Sequence, residues 1–209
     1  MIDLTREGGL WVVTLNRPDK ANSLTSEMLA ELCELIEAGA GDPDLRALVL
    51  TGAGDRVFSA GADLEEARAG LATSTLWERL SSAIAALPCL TIAALNGTLA
   101  GGAFGMALAC DLRIAVSGAR FFYPVAKLGF LPQPSDPVRM AALIGPARAK
   151  LVLLAGQKLS ADEALAFGLI DRIVPGDVVQ AARDLAGDAL TGDRDVLRAI
   201  KATCAGAAG

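Results

Sequence analysis

A chain of 209 residues, 53% hydrophobic but only 4% aromatic, fits one substantial domain, and its lack of histidine excludes a Ser-His-Asp triad, a Cys-His pair and any imidazole-bound zinc. The net charge of -5, with no run of Lys or Arg forming a stripe, speaks against nucleic acid as a partner. Cys33, Cys89, Cys110 and Cys204 are widely spaced, without a C-x-x-C or a signal-like start at Met1, and this predicts free, buried thiols in a reducing cytoplasm.

Residues 9–16 read as a strand with Trp11, Val13 and Leu15 on one face, followed by the Arg17-Pro18-Asp19-Lys20 turn. Thr25 caps a predicted helix whose Met28, Leu32, Leu35 and Ile36 form an apolar stripe. A second buried strand over 46–51 completes a strand-helix-strand unit, so an α/β fold with parallel pairing follows. Residues 57–64 then turn on Gly61 into a helix beginning near Asp63. Leu76, Leu80, Ile84 and Leu87 have helical spacing, and Pro88 ends that helix.

The organising stretch is 90–111, a short apolar strand, an Asn96-Gly97 turn, and a helix opened by Gly101-Gly102. Free N–H groups at such a helix start can hold partial negative charge, although the same glycines also suit close packing alone. No charged residue occurs from 80 to 110, yet Pro88, Asn96 and the glycines at 97, 101, 102 and 105 break the window, so a membrane span is not expected.

Strands are expected over 111–116, 119–123 and 169–174, with Asp111 as a structural cap. Residues 124–137 hold four of the nine prolines and read as an irregular segment able to line a cavity. Gly145-Pro146 separates two helices. Ser160 and Glu163 form a capping box for a helix ending at Gly168. Alanine-rich helices over 177–190 and 193–204 complete the pattern, dividing the chain into a core of 1–190 and a short helical tail of 191–209, frayed at its end.

With both strand-to-helix turns in view, the chain resembles the crotonase, or enoyl-CoA hydratase/isomerase, family. Residues 16–24 are similar to its first CoA loop, 58–64 to the second, 96–111 to its Gly-rich helix start and 159–175 to a later structural signature. The resemblance implies a spiral of ββα units, an acyl-CoA substrate whose coenzyme A is the only cofactor, no metal, and a homotrimer or hexamer. It further implies an oxyanion hole formed by the N–H groups of Ala62 and Gly102, where two preset donors would stabilise a thioester enolate. Lys20 and Ala21 of the first loop, Ala60, Asp63, Leu64 and Glu65 of the second, and the two oxyanion residues would form the CoA side.

The departures from the family pattern narrow the chemistry. Hydratases of this family use two glutamates to handle water, and the matching positions are Gly105 and Val125. The acid kept by isomerases and related members matches Gln133. Asp136 is the nearest carboxylate and Tyr123 the nearest phenol, so Asp136 is the candidate acid-base residue, in a Ser135-Asp136-Pro137 context that also reads as a turn. Family members usually continue into a longer helical tail, which predicts a pocket that is more open or closed by a neighbouring subunit. An isomerase-like enzyme is the leading expectation, with a catalytically degenerate CoA-binding scaffold as the alternative and hydration third.

Overall fold

Two strands begin the chain: β1 (Ile2–Glu7) pairs antiparallel with β2 (Leu10–Leu15) across Gly8-Gly9. The sequence pattern revealed only β2, because β1 is partly buried at Ile2 and Leu4 alone, whereas β2 packs apolar side chains on both faces. The structure, a computed structural model, describes residues 1–204 and Gly206; the frayed end expected at 205 and 207–209 lies outside the described residues.

After α1 (Ser26–Gly41) the chain repeats one path three times. It runs β3 (Ala47–Gly52), β4 (Val57–Ser59) and α2 (Leu64–Arg68), the last followed by α3 (Leu76–Ala86). Next come β5 (Leu90–Leu95), β6 (Thr98–Ala100) and α4 (Phe104–Ala109). The third pass is β7 (Leu112–Val116), β8 (Arg120–Phe122) and α5 (Val125–Leu128). In each pass the first strand joins one sheet and the second strand another. The large sheet has the order β1-β2-β3-β5-β7-β10 and is parallel from β2 onward, and the small sheet has the order β4-β6-β8-β9. This is the spiral of ββα turns that the resemblance implied.

The remaining elements are α6 (Asp136–Ile144), α7 (Pro146–Leu153), β9 (Leu159–Ser160), α8 (Ala161–Phe167), β10 (Arg172–Val174), α9 (Val178–Leu185), α10 (Gly187–Thr191) and α11 (Arg194–Cys204). Caps predicted from sequence are present: Thr25 Oγ1 accepts the Met28 N–H at 3.2 Å, and Ser160 and Glu163 bond reciprocally. The single helix expected over 177–190 is interrupted at Ala186. Trp11, Val13 and Leu15 of β2 face the main core with α1, α3 and α4, while Leu10 and Val12 face a smaller core covered by α9.

Two expectations need correction. Cys204 is exposed, unlike the buried Cys33, Cys89 and Cys110, because α11 buries none of its side chains. Burial pushes the Cys89 and Cys110 thiols up to about 12. Asp111 does not cap a helix: its Oδ2 accepts the Thr91 N–H at 2.9 Å and meets Lys201 Nζ at 2.9 Å, tying β5 to α11. Among the described residues no helix is long and apolar enough to cross a membrane.

The links between the sheets are clamped by asparagine side chains. Asn96 Oδ1 accepts the Gly52 N–H at 3.0 Å, and its Nδ2 donates to the Gly54 carbonyl at 2.9 Å, holding the 52–57 loop that leads into β4. Asn96 is buried, so truncation strands backbone groups away from water. Asn96→Ala is expected to lower unfolding free energy by roughly 1–3 kcal/mol in urea titration, with an unchanged denaturant slope.

Candidate active site

Strands β4 and β6 run parallel as neighbours, so the turns that leave them emerge at the same end of the small sheet. Gly61 (φ +90°) and Gly101 (φ +59°) make these turns in the left-handed region that favours glycine. Their backbones touch: a Cβ on Gly61 would lie 2.9 Å from the Ala100 carbonyl oxygen and 3.1 Å from the Gly102 nitrogen. No larger residue fits there without moving one turn off the other.

The first turn is stitched to residues 17–24. Ala60 N–H donates to the Ala21 carbonyl at 3.0 Å, Gly61 N–H to Ser59 Oγ at 3.1 Å, and Asp63 N–H to the Leu24 carbonyl at 2.8 Å. The intervening Ala62 N–H meets no protein acceptor among the described residues. Gly102 N–H lies in the first turn of a short 3-10 helix over Gly101–Ala103, ahead of the donors that close it. Both residues line one apolar cavity of about 150 Å³. The Trp77 indole covers Gly102, where a Cβ would meet its ring at 3.3 Å, and the indole N–H is held by the Leu71 carbonyl at 2.8 Å.

Other residues assigned to the CoA side lie around this turn. Ala21 is in the left-handed region at φ 52°, and Lys20, Ala60, Leu64 and Glu65 are exposed. Ala60 and Leu64 reach the cavity wall. Asp63 is committed elsewhere, accepting the Glu65 N–H at 3.0 Å as the cap of α2 and pairing with Arg17 Nη1 at 2.8 Å. The Arg17 hydrogen bond and charge, with the capping N–H groups of Glu65 and Glu66, hold its carboxyl below the usual carboxylate range against the raising effect of partial burial.

Asp136 lies in a helix and not in the turn that its neighbours suggested. It opens α6 and is fully buried, with Oδ2 accepting the Tyr123 hydroxyl proton at 2.8 Å and Oδ1 left without a hydrogen-bond partner. A Cβ on Gly105 would sit 3.0 Å from that Oδ1, so the carboxylate rests in the space a side chain at 105 would enter. Tyr123 stacks on Phe104 with ring centroids 5.3 Å apart and lines the cavity, as do Val125 and Gln133, whereas Asp136 lies behind the wall.

Burial pushes the Asp136 carboxyl up to about 6, against the lowering effects of the Tyr123 hydroxyl and Arg139. Burial likewise raises the Tyr123 phenol, and the neighbouring Asp136 charge adds to it. Glu78 on α3, a residue that sequence reasoning missed, anchors the start of α6. Its Oε2 accepts the Ser135 N–H at 3.1 Å and the Ser135 hydroxyl at 3.0 Å. Burial pushes the Glu78 carboxyl up, but these bonds outweigh it and hold it low. Trp77 was also missed, although it shares helical spacing with Leu80 and Ile84. The placement of Gly105 in the middle of an apolar helix was the signal for a neighbour needing room.

A spiral of ββα turns that presses two strand-to-helix turns together at an apolar cavity defines the crotonase fold. Residues 5–208 match the family described as enoyl-CoA hydratase/isomerase, and the chain belongs to that family. It is 36% identical over 189 residues to the short-chain-enoyl-CoA hydratase of Clostridium acetobutylicum, covering 88% of this chain and 72% of that one. It is likewise 36% identical over 190 residues to the carnitinyl-CoA dehydratase of Escherichia coli, with the same 88% and 72% coverage. The solved structure of Pseudomonas aeruginosa DspI superposes with a TM-score of 0.91 at 34% identity, covering 99% of this chain and 86% of that chain.

The raised Asp136 carboxyl makes stability depend on pH. The folded state binds this proton more tightly than the unfolded chain does, so stability falls as pH rises from about 4 through about 6. Asparagine keeps the shape without ionising. The stability of Asp136→Asn relative to wild type is therefore expected to rise by roughly 2–3 kcal/mol between pH 4 and pH 7, measured by urea unfolding at both values. An unchanged difference would show that the carboxyl ionises freely in the fold.

Proposed function

We propose that this chain is a cytoplasmic acyl-CoA enzyme that forms a thioester enolate and shifts a double bond rather than adding water. In this reading the Ala62 and Gly102 N–H groups receive the thioester oxygen, and Asp136 is the acid-base group. The observation that carries it is the replacement of both water-handling positions by Gly105 and Val125, with a buried, ionisable Asp136 seated against Gly105. Coenzyme A enters as part of the substrate, along the side formed by Lys20, Ala21, Ala60, Leu64 and Glu65, and nothing need stay bound between turnovers.

The two backbone donors support this reading because they sit on turns whose backbones pack directly against each other. Charge forming on the thioester oxygen would meet dipoles that need no reorganisation, inside a wall that raises their strength. Hydration and dehydration are the activities in the names of the two relatives. Here neither Gly105 nor Val125 can move a proton, and each missing acid-base group forfeits a factor of about 100 to 10,000. The losses need not add, because groups acting together are not additive.

Crotonyl-CoA hydration assayed beside the shift of a 3-enoyl-CoA tests the proposal. Hydration near background with measurable isomerisation is expected, and isomerisation is expected to fall by about 100-fold or more in Asp136→Asn. Efficient hydration by the wild type would overturn it.

We further propose a homotrimer or hexamer. Val138 and Leu154, which do not line the Ala62–Gly102 cavity, are 70% and 69% exposed, an apolar load that association between copies would cover. Light scattering at micromolar concentration should give the mass of three or six chains; a monomer mass would count against the assembly.

A further inference from the structure

We infer that Tyr123 is the group that exchanges a proton with the bound acyl chain, and that Asp136 acts only through it, as the buried store of that proton. The inference rests on the thioester-enolate reading above and goes beyond it by placing a phenol between the carboxylate and the substrate. Tyr123 is on the cavity wall, and Asp136 is not. The hydroxyl donates to Asp136 Oδ2 at 2.8 Å, and stacking on Phe104 fixes the ring in that register. Gly105 is the third member of the arrangement: at 3.0 Å from Oδ1, even a methyl group there would press the carboxylate away from the phenol.

The step balances within these groups. A C–H bond next to the thioester carbonyl breaks, its electron pair enters the carbonyl to form the enolate, and the proton bonds to the phenol oxygen as the phenol's own proton moves to Asp136 Oδ2. Reprotonation two carbons further along the acyl chain reverses both transfers: the phenol gives its proton to carbon and recovers one from Asp136. No water, oxidant or second substrate is consumed. Asp136 must be ionised to begin, so the rate should fall as pH drops below about 6.

Exchange of the proton next to the carbonyl in a 3-enoyl-CoA, followed in D2O by mass spectrometry, tests the relay in the full chain. Tyr123→Phe keeps the ring and is expected to lower the turnover rate about 100-fold or more with KM within about threefold. Asp136→Asn should lose as much, and the acid limb near pH 6 should vanish from its profile, which a purely structural role would not produce. The double variant should be no worse than either single one, because the two act as a unit. Exchange retained by Tyr123→Phe but lost by Asp136→Asn would overturn the relay while leaving the thioester reading in place. A wild type that exchanges no proton at any pH would overturn both.

Discussion

The structure depends on one close approach, that of the backbone at Gly61 to the backbone at Ala100–Gly102. A Cβ at 61 would come within 2.9 Å of a carbonyl oxygen, a distance that real side chains do not sustain. The spiral makes the approach possible by laying β4 and β6 side by side in parallel, so that both chains turn at the same end of the sheet. Ligand sites in parallel α/β sheets form at the carboxyl ends of strands for the same geometric reason. The Asn22 and Asn96 clamps and the Arg17–Asp63 ion pair act on this approach at a distance. Each fixes the height of a loop that feeds one of the two turns.

Enclosure by apolar residues then governs the electrostatics. Apolar residues, among them Trp77, Phe122, Val125 and several alanines, dominate the cavity wall, so a charge there depends on the few polar groups that reach it. The fold accepts one buried carboxylate behind that wall and satisfies only one of its two oxygens. Such an arrangement costs stability wherever the group is ionised, and strain of this kind is typical of positions retained for chemistry. Gly105 adds a further cost of about 1 kcal/mol as a helix-interior glycine, in exchange for the room that Asp136 occupies.

Much of this arrangement was legible in the chain. The period of apolar residues located α1, α3 and the central strands, and the glycine turns at 61 and 101 marked both halves of the site. Strands β6 and β9, of three and two residues, escaped because so few positions carry no periodicity. Asp136 is the instructive case. Its neighbours Ser135 and Pro137 suggest a turn, and local propensity contains nothing of its burial. That burial arises from side chains separated along the sequence: Glu78 holding Ser135, Tyr123 meeting the carboxylate, and a missing side chain at 105. Sequence identified the residue as a candidate by elimination, but its place behind the phenol is a tertiary fact.

The position from which a carboxylate enters a site decides what it can do there. A side chain projecting from α4 at 105 would enter the space where the Asp136 carboxylate lies, its Cβ 3.0 Å from Oδ1 and 3.6 Å from Ser81 Cβ. Asp136 instead arrives from α6 and stops behind Tyr123, with the phenol between it and the empty volume. Ordered water in a protein interior needs two to four polar partners. On this wall the Gln133 side chain donates to the Ala72 carbonyl at 3.4 Å and the Trp77 indole to the Leu71 carbonyl, so few side-chain donors remain for a water molecule near Val125. Few groups on this wall could hold a water molecule, whereas Tyr123 on the wall and Asp136 behind it are already joined by a hydrogen bond of 2.8 Å.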